Sequence, residues 1–164
     1  MDLSKFSLEE LFFTAIKAEI DSREAYSIMA GITSNAFLKD RFKFLADEED
    51  KHRSFLTQQF EVKFPERKLN LPEVSPVPMP EINIGGPNTP ISTLLQQAMD
   101  AEKAAGAFYR DFAKYAKSDK EFSATLSYFA RMEDSHYEVL KREKESAEEF
   151  EAYDDFNPGM HLGP

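Results

Sequence analysis

The chain is 164 residues long, enough for one domain with a substantial core, and its lack of cysteine excludes disulfides, thiolate metal sites and iron–sulfur clusters within it. Its 30 acidic and 20 basic residues give a formal charge of −10, which repels phosphate backbones and anionic lipid and argues against nucleic-acid or membrane partners. No run approaches the ~20 apolar residues of a membrane span, and the N-terminus lacks the pattern of a secretory leader, so a cytoplasmic location is expected.

Ser7-Leu8-Glu9-Glu10 has the spacing of a capping box and opens a helix expected over about 8–30, with Gly31 placed to end it in a left-handed cap. A short turn through Ile32, Thr33 and Ser34 leads to a second helix, about 35–60, carrying Phe37, Leu38, Phe42, Leu45, Ala46, Phe55 and Leu56 on its apolar side. So short a connection makes the two helices antiparallel neighbours.

Seven prolines between Pro65 and Pro90 exclude regular helix from the next segment, 61–89. Neither flanking hairpin can bury both its faces alone. This segment therefore reads as a crossover running the length of a bundle, with Ile82 and Ile84 against it, rather than as a linker between domains.

Thr89-Pro90 has the form of an N-cap followed by proline at the first helical position, and the third helix is expected over about 90–117. Ser118-Asp119-Lys120-Glu121 offers a second capping box, for a fourth helix over about 119–150. An acidic, aromatic tail, 151–164, follows; its His161 has no metal-binding context and reads as a surface residue.

The chain is a duplicated helical hairpin. A shift of 84 residues aligns Phe42 with Leu126, Leu45 with Phe129, Glu49 with Glu133, His52 with His136 and Leu56 with Leu140. A shift of 83 aligns Phe12 with Leu95, Ala15 with Ala98, Glu19 with Glu102 and Tyr26 with Tyr109. Each half thus sets a glutamate in the apolar stripe of its first helix and a Glu-x-x-His pair in that of its second. On a helix, residues three apart share a face, so six ionisable side chains point inward at mid-height. Four carboxylates in a low-dielectric core repel one another, and two divalent cations would balance their charge. Oxygen and imidazole donors in this ratio suit iron or manganese, with zinc able to occupy such a site.

On Glu19 with Tyr26, Glu49 with His52, Glu102 with Tyr109, and Glu133 with His136, the chain resembles the ferritin-like di-iron proteins, and within them the rubrerythrin-like branch. The resemblance covers both hairpins and implies an all-α, ferritin-like four-helix bundle. It implies that Glu49 and Glu133 bridge two iron ions, that Glu19 and Glu102 are terminal ligands, and that His52 and His136 complete the two sites. Tyr26 and Tyr109, two turns from those terminal glutamates, would flank the site and donate to carboxylates or to bound peroxide; they read equally as buried tyrosines satisfied by any convenient acceptor. Arg23 reads as solvated.

Two departures stand out. Rubrerythrins proper carry a cysteine-ligated rubredoxin domain, for which this chain has no cysteines, so electrons would come from a separate donor protein. They also carry a further glutamate one turn after the terminal ligand of the third helix, where this chain has Ala105. The reading that follows is a homodimeric oxidoreductase reducing hydrogen peroxide or dioxygen. Iron storage with ferroxidation, a manganese catalase and a metal-stabilised structural bundle are the alternatives.

Overall fold

A computed structural model of the protein describes residues 1–86 and 89–156. Four helices occupy them: α1 (Leu8–Ile32), α2 (Ala36–Lys63), α3 (Ile91–Tyr115) and α4 (Lys120–Phe156). There is no strand among the described residues, and none of these helices is long and apolar enough to cross a membrane. The closest packing is within the hairpins α1–α2 and α3–α4, leaving the α1/α3 and α2/α4 faces as the looser seams of the bundle.

Local chemistry sets the helix ends, with several departures from the expected caps. The Ser7 box forms: its hydroxyl accepts from Glu10 N–H, and the Glu10 carboxylate accepts from Ser7 N–H at 2.8 Å. Gly31 is not a left-handed cap. α1 continues through it to Ile32, Thr33 ends the helix in extended backbone, and Gly85 is the one described residue with positive φ, at 66°. The exposed end of α1 can run two residues further than the glycine signal suggested because the Thr33 N–H still reaches Met29 O, at 3.2 Å.

The next cap is Asn35, whose side chain accepts from Phe37 and Leu38 N–H. α3 begins at Ile91 with Pro90 in the cap position and no side-chain cap bond, so Thr89 does not act as N-cap. The Thr89 hydroxyl instead crowds the place that a Cβ on Gly85 would take, so the turn there leaves no room for a side chain. At α4 the cap is Asp119 rather than Ser118: the Asp119 carboxylate accepts from Phe122 N–H at 3.1 Å and meets Lys63 at the end of α2 at 2.6 Å. α2 runs three residues past its expected end, to Lys63, and α3 stops at Tyr115. α4 continues to Phe156, so the first six residues of the expected tail are helical. His161 lies outside the described residues.

Two apolar clusters fill the bundle. At one end, Phe12, Phe60, Phe112 and Phe122, one from each helix, interlock with Phe12 at the centre, its ring 5.3–5.9 Å from the other three. At the other end lie Tyr26, Met29, Phe42, Leu45, Leu94, Leu95 and Leu140. Each helix runs from one cluster to the other, and α2 ends at the phenylalanine cluster while α3 begins at the opposite one. The proline-rich segment therefore has to cross the full length of the bundle.

It crosses over the α1/α3 seam. Val77 N–H donates to the buried Thr14 hydroxyl of α1 at 3.2 Å, and Asn83 N–H donates to Gln97 Oε1 of α3 at 2.7 Å. Ile82 and Ile84 pack on the bundle as expected.

Candidate metal centre

Between the two apolar clusters every helix contributes to a polar layer: Glu19 from α1, Glu49 and His52 from α2, Glu102 from α3, Glu133 and His136 from α4. All six are at most 3 % exposed. Side chains this polar are seldom buried so fully without compensation, because each loses its hydration.

Their geometry is two-fold. His52 Nδ1 faces Glu133 Oε1 at 3.2 Å, Glu49 Oε2 at 3.4 Å and Glu19 Oε2 at 3.6 Å. His136 Nδ1 faces Glu49 Oε1 at 3.3 Å, Glu133 Oε2 at 3.4 Å and Glu102 Oε2 at 3.7 Å. Two sets of ligand atoms result, each gathered within 4.8 Å: Glu19, Glu49, His52 and Glu133, and Glu49, Glu102, Glu133 and His136. Glu49 and Glu133 belong to both.

Despite this proximity, Glu49 Oε1, Glu133 Oε1 and both Nδ1 atoms have no hydrogen-bond partner. The ligand atoms of each set nonetheless converge, all lying within 4.8 Å of one another, which is a spacing that suits ligands around a cation. Leaving four such atoms unmet in a dry core would cost about 1–3 kcal/mol each, so the residues fit a pair of divalent cations.

One oxygen of each terminal glutamate is already committed. Tyr26 O–H donates to Glu102 Oε1, and Tyr109 O–H donates to Glu19 Oε1, each across the bundle to the opposite hairpin. Each tyrosine ring belongs to a different apolar cluster, and the two hydroxyls enter the polar layer from opposite sides. The bonds leave Oε2 of each terminal glutamate turned toward its histidine. That these bonds cross between the two halves was not legible from spacing. Arg23, taken as solvated, is half exposed and lies 3.3 Å from Asp50.

Electrostatics reinforce the case for cations. Burial, then the Glu49 charge, pushes Glu19 up to about 8. Burial and Glu102 likewise raise Glu133. Burial opposes an imidazolium at His52, but Glu133, Glu19 and Glu49 outweigh it and push His52 up to about 12. His136 rises for the same reason, through Glu102, Glu133 and Glu49. Glu102 lies below its ordinary value because, against burial, Glu133, His136 and Tyr26 stabilise its carboxylate. With only protons available, the layer therefore holds them tightly to offset its negative charge. Two divalent cations would supply the same positive charge in place of those protons.

A family model for rubrerythrin matches residues 10–144, which span the whole layer and both hairpins. The chain belongs to the rubrerythrin family. Among solved structures, a hypothetical protein from Pyrococcus furiosus is similar: 32 % identical, with 91 % of this chain and 95 % of that one covered and a TM-score of 0.77. No curated protein matches the chain.

In this rubrerythrin-family bundle the buried Glu/His cluster is a candidate two-metal centre. Spacing did not reveal two of the residues that shape it. Gly106 sits in α3 one turn from Glu102, and a Cβ there would come within 3.4 Å of Ala130 O and Glu133 Cβ. The glycine inside an otherwise good helix was the available signal for that close approach. Phe129 lies against His52, ring centroids 4.2 Å apart, and nothing in its apolar periodicity distinguishes it from any other core phenylalanine.

Proposed function

We propose that the protein is a di-iron oxidoreductase that reduces hydrogen peroxide or dioxygen with electrons from a separate donor protein, acting as a homodimer in the cytoplasm. The observation that carries this reading is the pair of buried four-residue ligand sets sharing Glu49 and Glu133. Two ferrous ions held there would supply one electron each and Lewis acidity toward a bound peroxide, so that H2O2, two protons and two electrons yield two waters.

In this mechanism Glu49 and Glu133, common to both ligand sets, would hold both ions, Glu19 and His52 would complete the one set, and Glu102 and His136 the other. The protein's further contribution is orientation. Tyr109 and Tyr26 fix the rotation of the terminal carboxylates. Both phenols keep their protons well above the ordinary tyrosine range because burial, and then Glu19 for Tyr109 or Glu102 for Tyr26, disfavour a phenolate. The apolar clusters above and below exclude bulk water, which strengthens each of these interactions.

The test combines elemental analysis of protein purified without added metal with anaerobic reduction and a peroxide titration followed by absorbance. Two irons per chain that oxidise rapidly with stoichiometric peroxide, and a Glu49→Ala variant that does not, are the expected results. Ions that stay silent toward peroxide and dioxygen would sink the redox reading. Uptake of many irons per chain into a larger assembly would replace it with storage.

A further inference from the structure

We propose that the cavity beneath the crossover, on the α1/α3 seam, is the route by which a small uncharged oxidant reaches the carboxylate–histidine layer, and that Ser22 and Ala105 set the size it admits. This inference rests on the peroxide-reducing reading above and adds a path and a size limit to it.

The cavity has a volume of about 340 Å3 and is bounded by α1, α3 and the crossover. Its height in the bundle is set by its roof. Met79 packs on the phenylalanine cluster and Ile82 on the opposite one, so the segment between them spans the polar layer. The roof is tied at its two ends, at Val77 and Asn83, and Pro78 and Pro80 between them have no N–H to donate.

The floor includes two pairs related by the internal repeat, Ala18 with Ala101 and Ser22 with Ala105. Ala18 and Ala101 directly precede the terminal glutamates Glu19 and Glu102, and Ser22 and Ala105 lie one helical turn beyond them. The lining thus reaches the helix turns that carry both terminal ligands, and on those turns Ala18, Ser22, Ala101 and Ala105 offer little bulk between the cavity and the layer.

The other loose seam is closed. On the α2/α4 face Phe129 covers His52, and Phe55 meets Phe129 edge-on with ring centroids 5.4 Å apart. At the position related to Phe129 by the repeat, Leu45 is completely buried. Large side chains thus seal one seam, whereas the other holds a cavity whose lining includes Ala18, Ser22, Ala101 and Ala105.

Size and charge define what fits. At about 30 Å3 per water, the volume holds roughly ten waters, which leaves room for hydrogen peroxide and for a hydroperoxide of a few carbons. Three carboxylates, Asp21, Glu24 and Glu81, line the cavity against one ammonium, Lys17, which disfavours anionic oxidants.

Two measurements test this. In zinc-loaded protein, which cannot turn over, dissolved dioxygen should relax the methyl groups of Ala101 and Ala105 more strongly than those of Ala15 and Ala98 in the core. Equal relaxation would overturn the route without reference to any activity.

In iron-loaded, reduced protein, Ala105→Leu should slow oxidation by tert-butyl hydroperoxide at least ~10-fold and oxidation by hydrogen peroxide less, with metal content unchanged. Ser22→Leu approaches the same space from the other helix and should act likewise if Ala105→Leu does not fold. Wild-type rates with both peroxides in a folded, metal-loaded variant would refute the route. Failure of the wild-type iron protein to react with either peroxide would instead refute the proposed function, and the dioxygen relaxation would still report on the cavity.

Discussion

At the scale of single residues, the site divides into shared and unshared ligands, and the division has measurable consequences. Glu49 and Glu133 belong to both ligand sets, whereas Glu19 belongs to one. Glu49→Ala should therefore abolish binding at both positions, while Glu19→Ala should spare the set built on Glu102 and His136; elemental analysis per folded chain checks the difference. The tyrosine bonds predict a gentler effect. Tyr26→Phe removes the donor to Glu102 Oε1 without changing the ligand count. The expected result is full metal stoichiometry with a loss of about 1.5–3 kcal/mol in stability, the range for a hydrogen bond to a charged group, read from denaturant unfolding.

At the scale of elements, two contacts decide how the helices hold the layer. α3 and α4 approach closely at Gly106, where an added Cβ would meet Asp134 Oδ1 at 3.3 Å and Ala130 O and Glu133 Cβ at 3.4 Å, leaving no space for a branched side chain. Gly106→Val should cost about 1–3 kcal/mol through overpacking and weaken metal affinity by displacing a shared ligand. Metal titration of the folded variant separates that second effect from simple destabilisation. The crossover is held to α1 by Thr14, which is completely buried and accepts from Val77 N–H while donating to Glu10 O at 2.9 Å. Thr14→Val keeps the shape but leaves that N–H unmet, at a cost of about 1–3 kcal/mol. Amide exchange should then rise at Val77 while the α2 and α4 amides remain protected.

For the whole molecule, the buried charge layer makes stability depend on pH in a direction opposite to that of ordinary acidic proteins. Without cations, Glu19 stays protonated in the folded protein up to about 8, while in the unfolded chain it ionises near 4.5. His52 stays protonated up to about 12, against 6.5 when unfolded. In both cases the folded state binds more protons over the interval, so stability falls as pH rises through it. Chelated protein should thus melt at progressively lower temperature from pH 5 to pH 9. Cation binding displaces those protons, so affinity rises with pH. The gap in melting temperature between loaded and chelated protein should widen over the same range; a gap that stays constant would show that the layer does not exchange protons for cations.

The internal repeat, the four helices, the crossover and all six members of the polar layer were legible in the sequence, because helical periodicity ties residue spacing directly to a shared face. Glu49 and His52 have to point the same way on any helix, and their duplication at Glu133 and His136 makes chance a poor explanation. Cap details were less legible: Gly31, Thr89 and Ser118 each carried a plausible signal, and the actual ends depend on what lies nearby, such as the Thr89 hydroxyl against Gly85 or Lys63 beside Asp119. Only the tertiary structure decided the crossed tyrosine bonds, the exchange of nearest contacts between His52 with Glu133 and His136 with Glu49, and the small-residue cavity facing an aromatic wall. These are relations between helices distant in sequence. Periodicity states which face a residue occupies; the packing of one hairpin against the other determines what that face meets.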